Sequence, residues 1–171
     1  MKRLCVATAT AIGCLILLAS CSAPCAADQT PVVVKSPSRW LTSFDAALAE
    51  AQKTGKPILA NFTGSHTDPW GWPWCWKLNQ EVFEENRFKK WAKENVVLLL
   101  LTYPTSEPQD EATKKANAAV AKKYGVEEYP TILLITPDGK SMGILGYQRG
   151  GVGPWIQSAQ KILDEKKSTG N

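Results

Sequence analysis

Cys75 is the residue with the clearest capacity for chemistry, because a thiolate is a strong nucleophile and metal ligand. The chain has five cysteines, at positions 5, 14, 21, 25 and 75, and only Cys75 lies far from the N-terminus. Two interpretations stay open. Cys75 is either a reactive or glutathione-capped monothiol, activated at the start of a helix, or a shielded thiol packed as a small hydrophobic residue. A disulfide with Cys25 is a third, weaker alternative.

Four of the seven tryptophans fall in one short stretch before and after Cys75: Trp70, Trp72, Trp74 and Trp76. If this loop is extended, alternate residues point the same way, and the rings form an aromatic ridge. Tryptophan is enriched where partners bind, so a ridge of this kind indicates a binding surface. The alternative is that the loop folds onto its own domain and the rings fill it.

The single histidine, His66, lies in the same loop. A Cys–His nucleophilic pair with Cys75 is one interpretation, and an ordinary surface histidine is the other. A zinc site needs three or four ligands, and the sequence offers no such cluster, so no metal is predicted. No cofactor is predicted either, because there is no glycine-rich phosphate loop.

Residues 1–20 have the features of an export signal. Basic residues at positions 2 and 3 precede an uncharged run to Ala19, which is shorter than the ~20 apolar residues of a membrane span and ends in small residues. The ending Leu18-Ala19-Ser20-Cys21 resembles the lipobox of bacterial lipoproteins, which implies lipid attachment at Cys21. Ordinary cleavage near Ala27, releasing a soluble protein, is the alternative.

The remaining chain is predicted to hold a tether, residues 21–38, and one domain, residues 39–168. Residues 1–20 contain two of the 20 basic residues and none of the 16 acidic ones, so the net charge beyond them falls from +4 to +2. This charge is too weak to indicate a nucleic-acid partner. The domain is long enough to bury a core of its own.

Hydrophobic periodicity predicts an α/β domain from residue 40 onward. The capping-box spacing Thr42–Asp45 and Gly55 bound a first helix, a second begins near Cys75, and a third carries an apolar stripe at positions 112, 116, 120 and 124. Strands are predicted at 57–62, 96–101, 131–136 and 141–147, and Pro154 suits the first turn of a last helix. Helical crossovers require parallel strands, whereas the tight turn at Asp138-Gly139 requires an antiparallel pair. A mixed sheet with helices on both faces satisfies both.

Three segments resemble landmarks of the thioredoxin-like superfamily. The stretch Gly-Lys-Pro-Ile-Leu-Ala-Asn-Phe-Thr-Gly-Ser at 55–65, followed by Cys75-Trp76-Lys77-Leu78, is similar to the strand, redox loop and helix of that superfamily. The pattern is closest to periplasmic DsbH-like and DsbD C-terminal-like domains. Tyr129-Pro130 resembles the cis-proline landmark, and residues 138–147 the closing hairpin. The resemblance implies a thioredoxin fold over about residues 40–166, and a groove at Pro130 that binds extended chains.

At the redox site this sequence departs from the pattern of the superfamily. Trp72 stands three residues before Cys75, where the family has its first cysteine, and the loop before it is longer than usual. In the family that first cysteine is the attacking thiolate and the second resolves the mixed disulfide, and Trp72 can do neither. Asn61 stands where thioredoxins often carry a buried aspartate, and an amide cannot accept its proton. Two-cysteine cycling by this domain alone is therefore not expected.

These observations favour an exported, membrane-anchored lipoprotein that faces the periplasm or cell envelope. Its expected role is extracytoplasmic thiol/disulfide handling or polypeptide binding, with Cys75 as the single catalytic cysteine. Trp72, Trp74, Tyr129 and Pro130 are predicted to bind the polypeptide. If the protein is an enzyme, it is a thiol-disulfide oxidoreductase. The alternative is a non-catalytic module that docks one partner protein through the tryptophan-rich loop and the cis-proline groove.

Overall fold

The computed structural model describes residues 40–65, 67–105 and 108–169. The predicted signal and tether, and with them Cys21 and Cys25, lie outside the described residues, as does His66. The elements follow in this order: α1 Phe44–Thr54, β1 Ile58–Thr63, α2 Pro73–Leu78, a π-helical turn Asn79–Phe83, α3 Asn86–Asn95, β2 Val97–Thr102, α4 Glu111–Tyr124, β3 Thr131–Ile135, β4 Ser141–Leu145 and α5 Val152–Thr169.

The four strands form one mixed sheet in the order β2-β1-β3-β4. Strand β1 is parallel to β2 and antiparallel to β3, and β3 is antiparallel to β4. Strand β1 lies inside the sheet and is covered on both faces, which explains why all six of its residues are buried. The predicted mixed sheet is confirmed.

The two faces of the sheet carry separate cores, because alternate strand residues point in opposite directions. On one face Leu59 packs with residues of α2, α3 and α5, including Leu78 and Trp155. On the other face Phe62 packs with residues of α1 and α4, including Ala47 and Ala121. Helices on both faces agree with the prediction from sequence. In the described part of the chain, no helix combines the length and the apolar character that a bilayer crossing requires.

Two helices differ in detail from the prediction. The N-cap of α1 is Ser43, whose hydroxyl accepts the Ala46 N–H, one residue later than the predicted capping box. The apolar stripe predicted on α4 is wrong at its N-terminal half, because residues 112 and 116 are exposed and Asn117 is buried instead. The Asn117 side chain donates to the Thr102 carbonyl at 3.1 Å, so a hydrogen bond to β2 sets the rotation of α4.

The segment between β1 and β2 is broken into three helical pieces. Helix α2 begins at Pro73, two residues before the predicted start, and proline fits this first position because it has no N–H to leave unpaired. The π-helical turn follows, with the Glu84 N–H donating to the Asn79 carbonyl at 2.9 Å. This turn ends at Phe83, and α3 begins at Asn86.

Candidate functional site

The sheet topology brings two loops together at the carboxyl end of β1. Phe62 near the end of β1 pairs with Thr131 at the start of β3. The loop after β1 therefore lies beside the peptide bond between Tyr129 and Pro130, which is cis. The cis-proline that the resemblance implied is confirmed.

The loop before α2 is ordered by a local aspartate turn. The Asp68 carboxylate oxygen Oδ1 accepts the N–H groups of Trp70 and Gly71, each at 2.9 Å. Such turns are a usual role of aspartate in loops. The Trp70 side chain is 93 % exposed, so it contributes little to the core.

Trp72 is the N-cap residue of α2, and its ring lies over Gly64 in the loop after β1. A Cβ atom at position 64 would collide with the indole, so glycine is the residue that makes room for it. The ring also meets Tyr129 edge-on, with a centroid distance of 6.0 Å and an interplanar angle of 67°. Trp72 therefore joins the loop before α2 to the cis-proline loop.

The Trp72–Tyr129 contact continues into the sheet as a row of aromatic rings. Tyr129 stacks on Tyr103 at 4.7 Å, and Tyr103 stacks on Phe62 at 6.3 Å. The Tyr103 hydroxyl donates to the Asn117 carbonyl at 2.8 Å. Burial raises the pKa of Tyr103 above its ordinary value, as does the neighbouring Tyr129, and burial also raises the pKa of Tyr129. The row is therefore a neutral, packed support for the cis-proline loop.

Cys75 lies in the first turn of α2, with only 3 % of its surface exposed, and its thiol forms no disulfide with any residue that the structure describes. A thiol shielded to this degree reaches a disulfide in another protein only after local opening. Asn61, 4 % exposed, lies on the β1 face that packs against the α2, α3 and α5 layer. Its Oδ1 atom and the Thr63 hydroxyl have no hydrogen-bond partner among the described residues.

An open groove of about 380 Å³ lies beside the cis-proline, lined by Trp74, Pro130, Tyr147 and Arg149. We call it the cis-proline groove. The rings of Trp74 and Tyr147 are 5.3 Å apart and tilted by 35°. Trp74 is 49 % exposed, so much of its ring is available to a ligand. Lys77, one turn along α2, places its ammonium 5.1 Å from the centre of that ring.

Tyr147 is held in the groove by a hydrogen bond to a residue that is distant in sequence. Its hydroxyl donates to the Glu81 carboxylate oxygen Oε2 at 2.7 Å. This bond raises the pKa of Tyr147, because ionising the phenol would remove the donor. Glu81 belongs to the π-helical turn, an element that is frequent at functional sites. The turn thus brings a carboxylate to the hydroxyl of Tyr147, one of the residues that line the groove.

The predicted site residues therefore separate into three places. Trp74 and Pro130 line the groove, Trp72 and Tyr129 contact each other beside it, and Cys75 is buried below the surface. The predicted aromatic ridge is wrong, because the chain is helical from Pro73 and the rings diverge. No group of His, Cys, Asp or Glu side chains suited to a metal occurs among the described residues.

The sequence does not single out two groove residues, Tyr147 and Arg149, or Glu81, which accepts a hydrogen bond from Tyr147. In the sequence Tyr147 is only the last residue of the closing hairpin, and Arg149 carries no signal. Glu81 reaches Tyr147 through the π-helical turn, which hydrophobic periodicity does not reveal.

Two proteins of Chlamydia pneumoniae are similar to this chain in sequence. The chain is 26 % identical over 162 residues to the disulfide bond reductase DsbH of Chlamydia pneumoniae, a match that covers 89 % of this chain and 92 % of DsbH. It is 27 % identical over 107 residues to the thioredoxin-related protein DsbJ of the same organism, covering 63 % of this chain and 30 % of DsbJ.

Solved structures show the same fold. The structure of a DsbH oxidoreductase matches with a TM-score of 0.65 and 23 % identity, covering 75 % of this chain and 90 % of that one. A thioredoxin from Thermus thermophilus matches with a TM-score of 0.59 and 19 % identity, covering 78 % and 94 % respectively. The thioredoxin-like domain family matches residues 44–151, which is more than half of the sequence. The chain therefore belongs to the thioredoxin-like domain family.

Proposed function

We propose that this protein binds extended polypeptides in extracytoplasmic disulfide handling, and that it does so without a two-cysteine redox cycle of its own. The observation that carries the proposal is the contrast between an open cis-proline groove and a thiol that is only 3 % exposed. The binding elements are accessible, whereas the reactive element is not.

The groove suits an extended chain for two reasons. Backbone beside a cis-proline can pair with an extended chain by strand addition, and this pairing needs no cysteine. Trp74 and Tyr147 offer two aromatic faces that bury a large area with little loss of side-chain entropy. Main-chain pairing would supply affinity for many sequences, and the aromatic pair would hold one side chain.

Two residues argue against a complete redox cycle in this domain. Trp72 occupies the N-cap position of α2, three residues before Cys75, where a thioredoxin would carry its attacking cysteine. Asn61 lies buried beneath the same layer, and an amide cannot take the proton of a thiol at neutral pH. Cys75 would need a second thiol from another molecule to complete a disulfide exchange.

A second candidate function is single-cysteine thiol chemistry at Cys75. It is favoured by the similarity to DsbH, a disulfide bond reductase, over 92 % of the length of DsbH. In this alternative the loop that carries Trp72 opens, and the Cys75 thiolate attacks a substrate disulfide to form a mixed disulfide. The substrate's other sulfur leaves as a thiolate, and a thiol of a second protein must release the product.

The proposal includes a lipid anchor at Cys21, which would hold the domain at the membrane surface of the cell envelope. Its support is the lipobox-like ending of the signal segment. Mass spectrometry of the protein isolated from membranes tests it directly. We expect a diacylated Cys21 at the N-terminus of the wild type and no lipid in Cys21→Ala. Cys25→Ala is the matched control and should keep the lipid.

Peptide binding by the full chain, purified in non-ionic detergent, tests the main proposal. The probe is a fluorescently labelled, cysteine-free extended peptide, followed by anisotropy. Trp74→Ala should weaken binding by about tenfold, because it removes one wall of the groove. Trp70→Ala is the matched control and should leave binding unchanged, because Trp70 does not line the groove. Absence of binding by the wild type, or an equal loss in both variants, would refute the proposal.

A further inference from the structure

The groove has a positive rim. Arg149 lines it, and the Lys77 ammonium lies 5.1 Å from the Trp74 ring that forms its wall. Among the described residues Arg149 forms no ion pair, whereas four lysines elsewhere do. Because Arg149 lines an open groove and has no carboxylate partner among the described residues, its guanidinium is available to a ligand.

The nearby carboxylates offset only part of this positive charge. Glu81 accepts the Tyr147 hydroxyl at 2.7 Å and keeps its negative charge, but it does not itself line the groove. Arg149 and Lys77 together carry two positive charges against this one carboxylate, so the rim keeps a positive excess. Glu127 and Glu128 are exposed on the loop before Tyr129, but neither lines the groove. A polypeptide in the groove therefore meets a guanidinium and an ammonium beside two aromatic faces.

Two glycines follow Arg149 in the chain. Gly150 and Gly151 have φ values of 107° and 72°, a conformation that favours glycine, and they connect Arg149 to α5. The guanidinium is a planar fork of donors that matches the two oxygens of a carboxylate, so it recognises that group by shape as well as charge.

Within the proposed function, the geometry points to a substrate class: extended polypeptide segments in which an aspartate or glutamate lies close to an aromatic or large aliphatic residue. The apolar side chain packs against the exposed surface of the Trp74–Tyr147 ring pair, and the carboxylate pairs with Arg149. Lys77 adds a second positive charge at the same wall. The protein thus prefers substrates by this pairing of an acidic with an apolar residue, and the preference does not require a cysteine in the substrate.

Two cysteine-free peptides that differ only in Asp or Asn beside the aromatic residue test this inference. The full chain in non-ionic detergent should bind the Asp peptide about two- to fivefold more tightly, the range expected for one exposed ion pair. Raising NaCl from about 0.05 to 0.5 M should remove most of that difference, because salt screens exposed charges. Arg149→Gln should remove it at low salt.

The control variant is Lys115→Gln, which removes one positive charge from α4, on the opposite face of the sheet. It should keep the preference for the Asp peptide. Equal affinity for both peptides, or an equal loss of preference in Lys115→Gln and Arg149→Gln, would overturn the inference while leaving the binding function intact. Failure of both peptides to bind would instead overturn the proposed function.

Discussion

Gly64→Ala should displace the Trp72 ring and destabilise the protein. The φ angle of Gly64 is not in the left-handed region, so alanine can adopt its backbone conformation. The nearest obstacle is the indole of Trp72, with three ring atoms inside van der Waals contact of the added Cβ. The variant therefore measures one contact, the packing of Trp72 over the loop after β1.

The expected change in the free energy of unfolding follows from the contacts that the Trp72 ring loses. An extra methyl group in a packed site destabilises by about 1–3 kcal/mol when nothing can move away. Trp72 is half-buried and can swing outward, and it then gives up its edge-on contact with Tyr129, a type of pair that contributes about 0.5–1.5 kcal/mol. We therefore expect the free energy of unfolding to fall by about 1–2 kcal/mol.

Urea unfolding followed by far-UV circular dichroism provides the assay, in a cycle of Gly64→Ala, Trp72→Ala and the double variant. In the Trp72→Ala background the added methyl meets no ring, so the substitution at position 64 should change stability by less than about 0.5 kcal/mol. Gly146→Ala is the control, because its nearest contact would be the Pro130 carbonyl at 3.8 Å. Equal destabilisation by Gly64→Ala in both backgrounds would refute this reasoning.

Three further predictions concern buried groups. Asn61→Asp should lower the free energy of unfolding by about 2–4 kcal/mol at pH 8 and by less at pH 5, as measured by urea unfolding. Burial raises the pKa of the new carboxyl in the folded protein, and stability is lost as the pH rises through that pKa. Burial raises the pKa of Tyr103 only in the folded protein, so the wild type should lose stability above pH ~10, where this tyrosine ionises in the unfolded chain. Tyr103→Phe should lose less stability than the wild type between pH ~9 and pH ~11, as measured by unfolding at both values. Cys75 should react with Ellman's reagent slowly in the folded protein and at the rate of a free thiol in urea; equal rates would contradict its burial.

Much of the fold could be predicted from the sequence, because its signals are local. The helix ends at Gly55 and Gly125 follow from the left-handed conformation that each glycine adopts. The buried strands follow from uninterrupted apolar runs. The rotation of α4 could not be predicted, since it depends on a hydrogen bond from Asn117 to a carbonyl of β2, which is distant in sequence.

The candidate site was predictable only in part. The cis peptide bond before Pro130 follows from the resemblance to the family's landmark. The path of the tryptophan-rich loop did not, because the helix begins at Pro73 and directs Trp74 to the groove while Trp72 turns to Gly64. The link between Glu81 and Tyr147 joins residues 66 positions apart and depends on the π-helical turn.

Binding of a cysteine-free extended peptide to the Cys75→Ala variant tests the central claim most directly. The measurement is made on the full chain in non-ionic detergent, with circular dichroism to establish that the variant is folded. If the cis-proline groove binds polypeptide independently of the thiol, the affinity should equal that of the wild type within about twofold. If binding is lost in the folded variant, or occurs only with cysteine-containing peptides and disappears on reduction, the function depends on the thiol and the account is wrong.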